Sequence, residues 1–453
     1  MTRFAKGLAP VFGLIVALWS AMATGASAQT LLRDAEIEAY LRDYTNPLLE
    51  AANISPSSVD LYLVGDPSLN AFVGGGLNMF VHTGLITAAD NPNQIQGVLA
   101  HETGHLSGGH QQRGAEAFSK ALGRPAILSL VLGAAAIAAG APPEAGIAIT
   151  GLGQTIGMAE ATRYSRGQEA AADQAAVSLL EDVGASGEGL VEFFYKLSNL
   201  QLTAGREPIP YMQTHPLPIQ RVSILREQVA EKEHYNDRDS EAEIFRLKMI
   251  QAKIHGFMEG PQTTLRRYPL SDRSEPALYA RAVAYYRSSL LDNALRDIDR
   301  LIEAEPKNPF FYELKGQMLF EHGKILESVE PHRNSVTYGP SHALLKINLA
   351  RSLNALGNDT DTEEAIELLK VALQMEPDNG FGWSELARAY ASVDDTPRAN
   401  LAQAQAFYAW GNPAEAHRFA TRAKDQLEPG TPEHLQALDI LAASEQGARQ
   451  ARR

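Results

Sequence analysis

"GVLAHETGHLSGGH", residues 97–110, contains three histidines and one glutamate within ten positions. Residues four apart on an α-helix share one face, so His101 and His105 can present imidazole nitrogens to a single metal ion. Glu102 lies about 100° further round the helix and can reach a water molecule on that ion without acting as a ligand. The alternative is two histidines that share a helix face without a metal. The apolar flank and the helix-start signals favour the metal centre.

Capping signals around this stretch predict where its helix begins and ends. Asp90 or Asn91 can cap the N-terminus, Pro92 suits the first turn, and Gly108 and Gly109 favour termination. Upstream, alternating apolar residues and glycines predict a strand followed by a β-hairpin, at residues 59–64, 70–73 and 77–82. An extended peptide can add to such a hairpin as a further strand, through main-chain hydrogen bonds that read no side-chain sequence.

The third ligand is not obvious from the motif itself. A catalytic zinc ion needs three protein ligands and one open position. One known extension of the motif would require histidine at position 111, which is Gln111, so His110 is one residue short. The acidic candidates downstream are Glu116, Glu144, Glu160, Glu169 and Asp173.

Two of these acids stand out because of their surroundings. Glu169 and Asp173 are four apart in "QEAAAD", and the three alanines between them allow another helix to approach closely. We therefore predict a helix over 165–185, with Glu169 as the third ligand. Asp173 is predicted to accept a hydrogen bond from a ligating histidine, which fixes the tautomer of that ring.

His215 has two open roles. It lies in a proline-punctuated segment, 208–221, which we predict to be extended or looped. It can donate a hydrogen bond to the oxyanion of the reaction. Alternatively, it can occupy the fourth metal position and exclude water, which would make the enzyme latent. Arg221 is predicted to anchor this loop or the acidic site.

The C-terminal part has an internal period of 34 residues. Three pairs repeat at this spacing: Gly316 with Ala350, Gly323 with Gly357, and Pro306 with Pro340. Small residues at helix crossings and a proline after each helix pair are typical of tetratricopeptide repeats. Residues 275–430 are therefore predicted to form an α-solenoid, whose concave surface suits peptides or partner proteins. The aromatic residues interpreted as repeat core are Tyr285, Tyr286, Phe310, Phe311 and Tyr312.

Composition excludes several classes of protein. The chain has 453 residues and a formal net charge of −14 at pH 7, which argues against a broad nucleic-acid-binding surface. It has no cysteine. A disulfide framework, a thiol nucleophile and a cysteine-ligated zinc are therefore excluded.

The N-terminus has the features of a cleaved secretory signal. Arg3 and Lys6 precede a short apolar stretch, and "ASA" at 26–28 suits a cleavage site. We predict removal of residues 1–28 and a mature protein in the bacterial cell envelope. The Ala/Gly/Ile-rich segment 126–157 is interpreted as a helical hairpin, with peripheral membrane contact as the alternative. Neither half of it reaches the ~20 strongly apolar residues that a membrane span needs.

Four segments, in this order, resemble one family of zinc metalloproteases: "NAFVGGGLNMFVHTGLI" (70–86), "VLAHETGHLSGGH" (98–110), "SRGQEAAADQAA" (165–176) and "THPLPIQR" (214–221). That family includes the CAAX-prenyl endopeptidases and the HtpX-type proteases. With the signal sequence and the repeats, the chain is most similar to its periplasmic branch, the β-barrel assembly-enhancing proteases.

The resemblance implies one zinc ion per chain, held by His101, His105 and Glu169, with Glu102 as general base. It implies a role in the assembly of outer-membrane proteins, with unfolded or misassembled substrates and with repeats that bind clients or the assembly machinery. A chaperone or scaffold whose zinc site is structural or latent is the alternative function, and chaperone activity is compatible with proteolysis. The expected architecture is α+β and mostly helical: a signal peptide (1–28), a gluzincin-type metalloprotease domain with a small β-sheet (29–262) and a tetratricopeptide α-solenoid (263–453).

Overall fold

The computed structural model describes residues 30–110, 164–203 and 209–451. The predicted signal peptide and the segment 126–157 lie outside these ranges. Within the described ranges, no helix is both long enough and apolar enough to cross a lipid bilayer.

The N-terminal part combines a small sheet with helices. Its strands are β1 (Thr30–Leu32), β2 (Asp60–Gly65), β3 (Ala71–Gly74) and β4 (Asn78–His82). Its helices are α1 (Ala35–Ala51), α2 (Thr83–Ala88), α3 (Pro92–Ser107), α4 (Arg166–Asp182), α5 (Glu188–Thr203), α6 (Pro210–Thr214), α7 (Ile219–Ala230) and α8 (Glu241–Met258). The segment predicted to be extended or looped therefore contains one short helix, α6, and the start of α7.

The sheet has the strand order β1-β2-β4-β3. The predicted hairpin is present: β3 and β4 pair antiparallel, with Phe72 opposite Phe80. Its turn needs glycine, because Gly75 and Gly76 have φ values of 59° and 109°. The strand β2 pairs parallel with β4, and β1 adds to the other side of β2. Strand β3 lies at one edge of this sheet.

Helix α3 is the buried centre of this part. The Asn91 side chain accepts from the Gln94 backbone N–H at 2.9 Å, so Asn91 rather than Asp90 caps the helix. Two glycines let other helices approach closely. A Cβ on Gly97 would lie 2.7 Å from the Leu190 backbone, and a Cβ on Gly104 would lie 2.7 Å from the Ala172 carbonyl oxygen. Of the three alanines of "QEAAAD", Ala172 packs against α3 as predicted, whereas Ala170 and Ala171 are exposed.

The C-terminal part consists of helices arranged as consecutive pairs. They are α9 (Pro261–Arg267), α10 (Glu275–Arg287), α11 (Leu291–Ala304), α12 (Pro309–Glu321), α13 (Ile325–Tyr338), α14 (Ala343–Leu356), α15 (Asp359–Met375), α16 (Gly380–Ser392), α17 (Thr396–Ala409), α18 (Pro413–Gln426) and α19 (Pro432–Ala451). From α11 onward each helix packs most extensively on its neighbours in sequence, as in an α-solenoid, whereas α10 packs as extensively on α8 as on α11. The predicted α+β, mostly helical architecture is confirmed.

The repeat signature has a packing explanation. A Cβ on Gly316 in α12 would lie 2.3 Å from the His332 ring of α13, so this crossing requires glycine. Gly323 and Gly357 have positive φ values of 76° and 71° and end their helices in the left-handed conformation. Of the aromatic residues interpreted as core, Tyr285 and Phe311 are buried. The other three are half-buried and so only partly in the core: Tyr286, Phe310 and Tyr312.

A buried charge cluster joins the two parts. Lys253 in α8 is 1% exposed, and its Nζ lies 2.7 Å from Asp34 Oδ2 and 3.0 Å from Glu36 Oε2. The hydroxyl of Tyr279, in the first long repeat helix, donates to Glu36 Oε2 at 2.6 Å. A buried ammonium ion needs such partners to offset its lost hydration. The domain boundary between residues 262 and 263 stays a prediction, and it falls inside α9.

Candidate metal centre

The two histidines of the motif meet on one face of α3. Their Nε2 atoms are 3.1 Å apart, and both side chains are fully buried. Helix geometry alone brings the two rings together, because the residues are one turn apart. The His105 ring also stacks on Tyr164, with ring centroids 3.9 Å apart and an interplanar angle of 27°.

Helix α4 brings Glu169 to these histidines. Ser165 and Gln168 form a capping box at its start, so Glu169 lies in the first turn. Its Oε1 lies 3.3 Å from His105 Nε2, and its Oε2 lies 3.7 Å from His101 Nε2. Glu169 is 1% exposed. The sequence-predicted ligand set is therefore together in the structure.

His215 joins this group from a third segment of the chain, after α3 and α4. It follows α6 directly, and its ring stacks on Tyr211 with centroids 4.4 Å apart. Its Nδ1 lies 3.0 Å from Glu169 Oε1 and 3.4 Å from His101 Nε2. Its other nitrogen, Nε2, lies 3.5 Å from Glu102 Oε1. His215 therefore contacts both the predicted ligands and the predicted base.

The four donor side chains fit a tetrahedral metal ion. Their donor atoms all lie within 4.8 Å of one another, and the four side chains are His101, His105, Glu169 and His215. Bonds of about 2.0–2.1 Å to a tetrahedral zinc ion hold the donors about 3.3–3.4 Å apart. The five donor-to-donor distances given above, 3.0 to 3.7 Å, lie around this value, and Glu169 faces His105 and His215 through Oε1 and His101 through Oε2. Three imidazoles and one carboxylate are also donors that zinc accepts.

Asp173 and Arg221 contact the donor side chains from outside the group. Asp173 Oδ1 lies 3.0 Å from His101 Nδ1, the nitrogen that faces away from the other donors. The Arg221 guanidinium binds Asp173 Oδ1 at 2.7 Å, pairs with the Glu169 carboxylate and donates to the Pro216 carbonyl oxygen at 3.0 Å. Arg221 therefore anchors both the acidic pair and the loop that carries His215. The sequence had left these as alternatives.

Burial and ion pairing shift the ionisation of these groups in opposite directions. Burial lowers the pKa of His105 to about 2, which favours the neutral imidazole that a metal requires. Burial acts to raise the pKa of Glu169, but hydrogen bonds with His105 and His215 outweigh it and hold the pKa well below its usual range. Burial also opposes ionisation of Asp173, yet hydrogen bonds with Arg221 and His101 lower its pKa.

Glu102 and His215 form a buried pair within the site. Burial raises the pKa of the Glu102 carboxyl above its ordinary value. Burial acts to lower the pKa of His215, but the Glu102 and Glu169 carboxylates outweigh it and raise the pKa. A proton and a metal ion compete for one imidazole nitrogen. His215 Nδ1 can therefore hold a proton or a metal, but not both.

His110 is close to the site but is not among the four donors. Its Nδ1 lies 3.0 Å from His105 Nδ1, on the side of that ring that faces away from Glu169 and His101. Its exclusion as a ligand by spacing therefore agrees with the geometry.

Tyr164 was missed by sequence reasoning. The only local signal is an aromatic residue directly before the Ser165 cap, which by itself predicts no role.

Comparison with known proteins identifies the N-terminal part. Residues 35–229 match the family model described as Peptidase family M48. This segment is a peptidase family M48 domain. The match spans α1 to α7 and thus contains all four donor side chains. The resemblance seen in the sequence is confirmed, and the chain is a metalloprotease.

Sequence similarity to known proteins extends beyond the M48 domain. A Beta-barrel assembly-enhancing protease of Yersinia pestis is 26% identical over 409 residues, which cover 89% of this chain and 82% of that protein. Its counterpart in Escherichia coli K12 is 24% identical and covers 88% of this chain and 81% of that protein. Metalloprotease YcaL of Escherichia coli K12 is 29% identical over 39% of this chain and 64% of that protein.

Solved structures with helical repeats also match, with low superposition scores. A thermophilic TPR protein of Thermus thermophilus is 18% identical and covers 44% of this chain and 92% of that chain, with a TM-score of 0.23. Yeast Tom70 is 14% identical and covers 78% of this chain and 82% of that chain, with a TM-score of 0.30. The repeat description therefore rests on the helix pairs of the chain itself.

Proposed function

We propose that this chain is a zinc-dependent endopeptidase of the periplasm that cleaves unfolded or misassembled outer-membrane proteins. The observation that carries the proposal is the buried group of four donors with tetrahedral spacing, beside a buried glutamate in the M48 domain. The substrate class follows the printed names of the Yersinia and Escherichia relatives. The periplasmic location rests on the predicted signal at residues 1–28.

In this proposal His101 Nε2, His105 Nε2 and Glu169 bind one zinc ion. When bound, zinc lowers the pKa of water and polarises a peptide carbonyl. Glu102 takes the proton from the attacking water and passes it to the leaving amine. Its full burial excludes bulk water from this proton transfer. Asp173 holds His101 with Nε2 directed at the ion, and Arg221 keeps both carboxylates in place.

We further propose that His215 is the fourth ligand of a latent resting state. Its Nδ1 has the donor distances expected of a tetrahedral corner. With all four corners filled by protein, no position is left for water. The oxyanion role requires His215 to leave this corner and to keep a proton. The raised pKa of His215 in the metal-free site is compatible with that second state.

Metal removal tests the enzymatic proposal. Dialysis against a chelator is expected to abolish cleavage of an unfolded β-barrel protein, and added zinc is expected to restore it. One zinc ion per chain should bind, because the four donors describe one site. Cleavage that persists after complete removal of metal, measured by elemental analysis, would contradict the proposal.

Substitution of His215 separates its two roles. We expect His215→Ala to keep zinc through the three remaining ligands and to raise basal proteolysis. If about 90% of the resting enzyme is latched, the gain is about tenfold, because only the unlatched fraction is competent. The half-buried His234→Ala, outside the donor group, serves as control, with basal activity at the wild-type level. Reduced cleavage by zinc-loaded His215→Ala would instead support the oxyanion role.

The repeat helices are proposed to bind clients or the outer-membrane assembly machinery. An α-solenoid offers an extended surface for such contacts. The buried Lys253 cluster supports transfer of a bound client to the M48 domain, because it holds the first repeat helices against α8. The scaffold without proteolysis is not favoured, because the site retains Glu102 beside the four donors. Peripheral membrane contact through 126–157 stays a prediction outside the described residues.

A further inference from the structure

The structure assigns a positioning role to His110, which holds His105 in the tautomer and orientation that direct Nε2 at the metal. This inference rests on the proposed zinc site. His110 is buried, with 6% of its surface exposed, and its Nδ1 lies 3.0 Å from His105 Nδ1. In this inference it acts through the ring of His105.

The two nitrogens of His105 face in different directions. Its Nε2 lies 3.1 Å from His101 Nε2 and 3.3 Å from Glu169 Oε1, so this nitrogen faces the metal position. A neutral imidazole that binds metal through Nε2 carries its proton on Nδ1 and needs an acceptor there. His110 Nδ1 supplies that acceptor when its own proton is on Nε2. Asp173 Oδ1, 3.0 Å from His101 Nδ1, is in the corresponding position beside the other motif histidine.

The end of helix α3 is built to bring His110 into this position. Gly109 has a φ of 60°, which turns the chain back towards the helix end. A Cβ on Gly108 would lie 2.5 Å from His110 Nε2, so the ring packs against glycine where any larger residue would clash. The Gln168 side chain also donates to the His110 carbonyl oxygen at 3.5 Å. His110 is one residue short of the ligand position at 111, and this shorter spacing places its ring beside Nδ1 of His105 instead.

Tyr164 does not replace this function. Its stacking on His105 limits the tilt of the imidazole ring. A stacked ring offers no lone pair in the imidazole plane, so it cannot choose between the two tautomers. The acceptor on His110 makes that choice.

Two isosteric substitutions test the inference. Asparagine has its Oδ1 close to where histidine has Nδ1, whereas glutamine extends its polar atoms towards the position of Nε2. We expect His110→Asn to keep zinc affinity close to wild type and His110→Gln to lower it about 10–100-fold, a typical cost of losing such a partner. Chelator competition measures the affinity, and the visible spectrum of the cobalt-substituted protein reports the ligand geometry. The spectrum should change in His110→Gln and stay unchanged in His110→Asn.

Controls separate this inference from the proposed function. The same two substitutions at the half-buried His234, outside the donor group, should leave zinc affinity unchanged. Wild-type protein that binds no zinc contradicts the metal site itself. Wild-type protein that binds zinc while His110→Gln binds it equally well overturns only the role of His110. Thermal unfolding in excess chelator reports whether each variant folds. If His110→Gln does not fold, an altered cobalt spectrum of His110→Asn overturns the inference.

Discussion

Glu102→Gln is expected to bind zinc like the wild type and to lose proteolysis by about 10²–10⁴-fold, the usual contribution of a general base. Glutamine has nearly the same shape but cannot accept the proton from the attacking water. Zinc stays bound because Glu102 is not among the four donor side chains. The measurements are zinc content and the rate of cleavage of an unfolded β-barrel substrate.

The exposed Glu227→Gln is the matched control, because it makes the same chemical change on the surface of α7. It should cleave at the wild-type rate. Equal rates for zinc-loaded Glu102→Gln and wild type would contradict the assignment of Glu102 as the base. The same Glu102→Gln variant also tests the scaffold alternative. Full complementation of a deletion strain by this variant, together with failure of a chain truncated after about residue 262, would favour a non-proteolytic function.

Glu169→Gln is expected to lose metal, and with it activity. The amide oxygen is neutral and binds zinc weakly, and its loss of charge also leaves Arg221 with one carboxylate partner in place of two. We expect zinc affinity to fall by at least about 100-fold, because the change removes a ligand rather than the partner of a ligand. Chelator competition and elemental analysis measure this, and activity should return only at high zinc concentration.

Comparison of Glu102→Gln with Glu169→Gln distinguishes the proposed general base from the proposed metal ligand. Glu102→Gln should separate metal binding from activity, whereas Glu169→Gln should lose both. Glu227→Gln should retain both. Undiminished zinc affinity in a folded Glu169→Gln protein would exclude Glu169 as a ligand, and would leave the two motif histidines with His215 as the remaining donors.

Local sequence rules account for much of the arrangement of the candidate site. The pairing of His101 with His105 depends only on the geometry of one helix turn. The close approach of α4 depends on one alanine of "QEAAAD", Ala172, whose carbonyl meets Gly104, while Ala170 and Ala171 face solvent. The repeat helices followed from small residues and prolines at a regular spacing. These features are set by neighbours in the chain, so the chain alone contains their signal.

Other features were not predicted from the sequence, because they depend on contacts between residues that are far apart along the chain. Strand β1 has three residues and exists through its pairing with β2, from Thr30 opposite Gly65 to Leu32 opposite Leu63. Helix α6 lies in a segment whose prolines predict extended backbone, yet Pro210 occupies the first turn, where its missing N–H costs no hydrogen bond. The stacking of Tyr164 on His105 likewise depends on packing between separate segments.

The sequence by itself determined the motif helix, the types of metal donor and the repeated helices, because each depends on residues within a few turns of one another. Only the tertiary structure decided which nitrogen of His215 approaches the donors, which of the two motif histidines Asp173 faces, and that the His110 ring faces Nδ1 of His105. His101 and His215 are 114 positions apart, and no periodicity records the direction in which such distant rings face. Those directions are set by the packing of α3, α4 and α6 around one buried site.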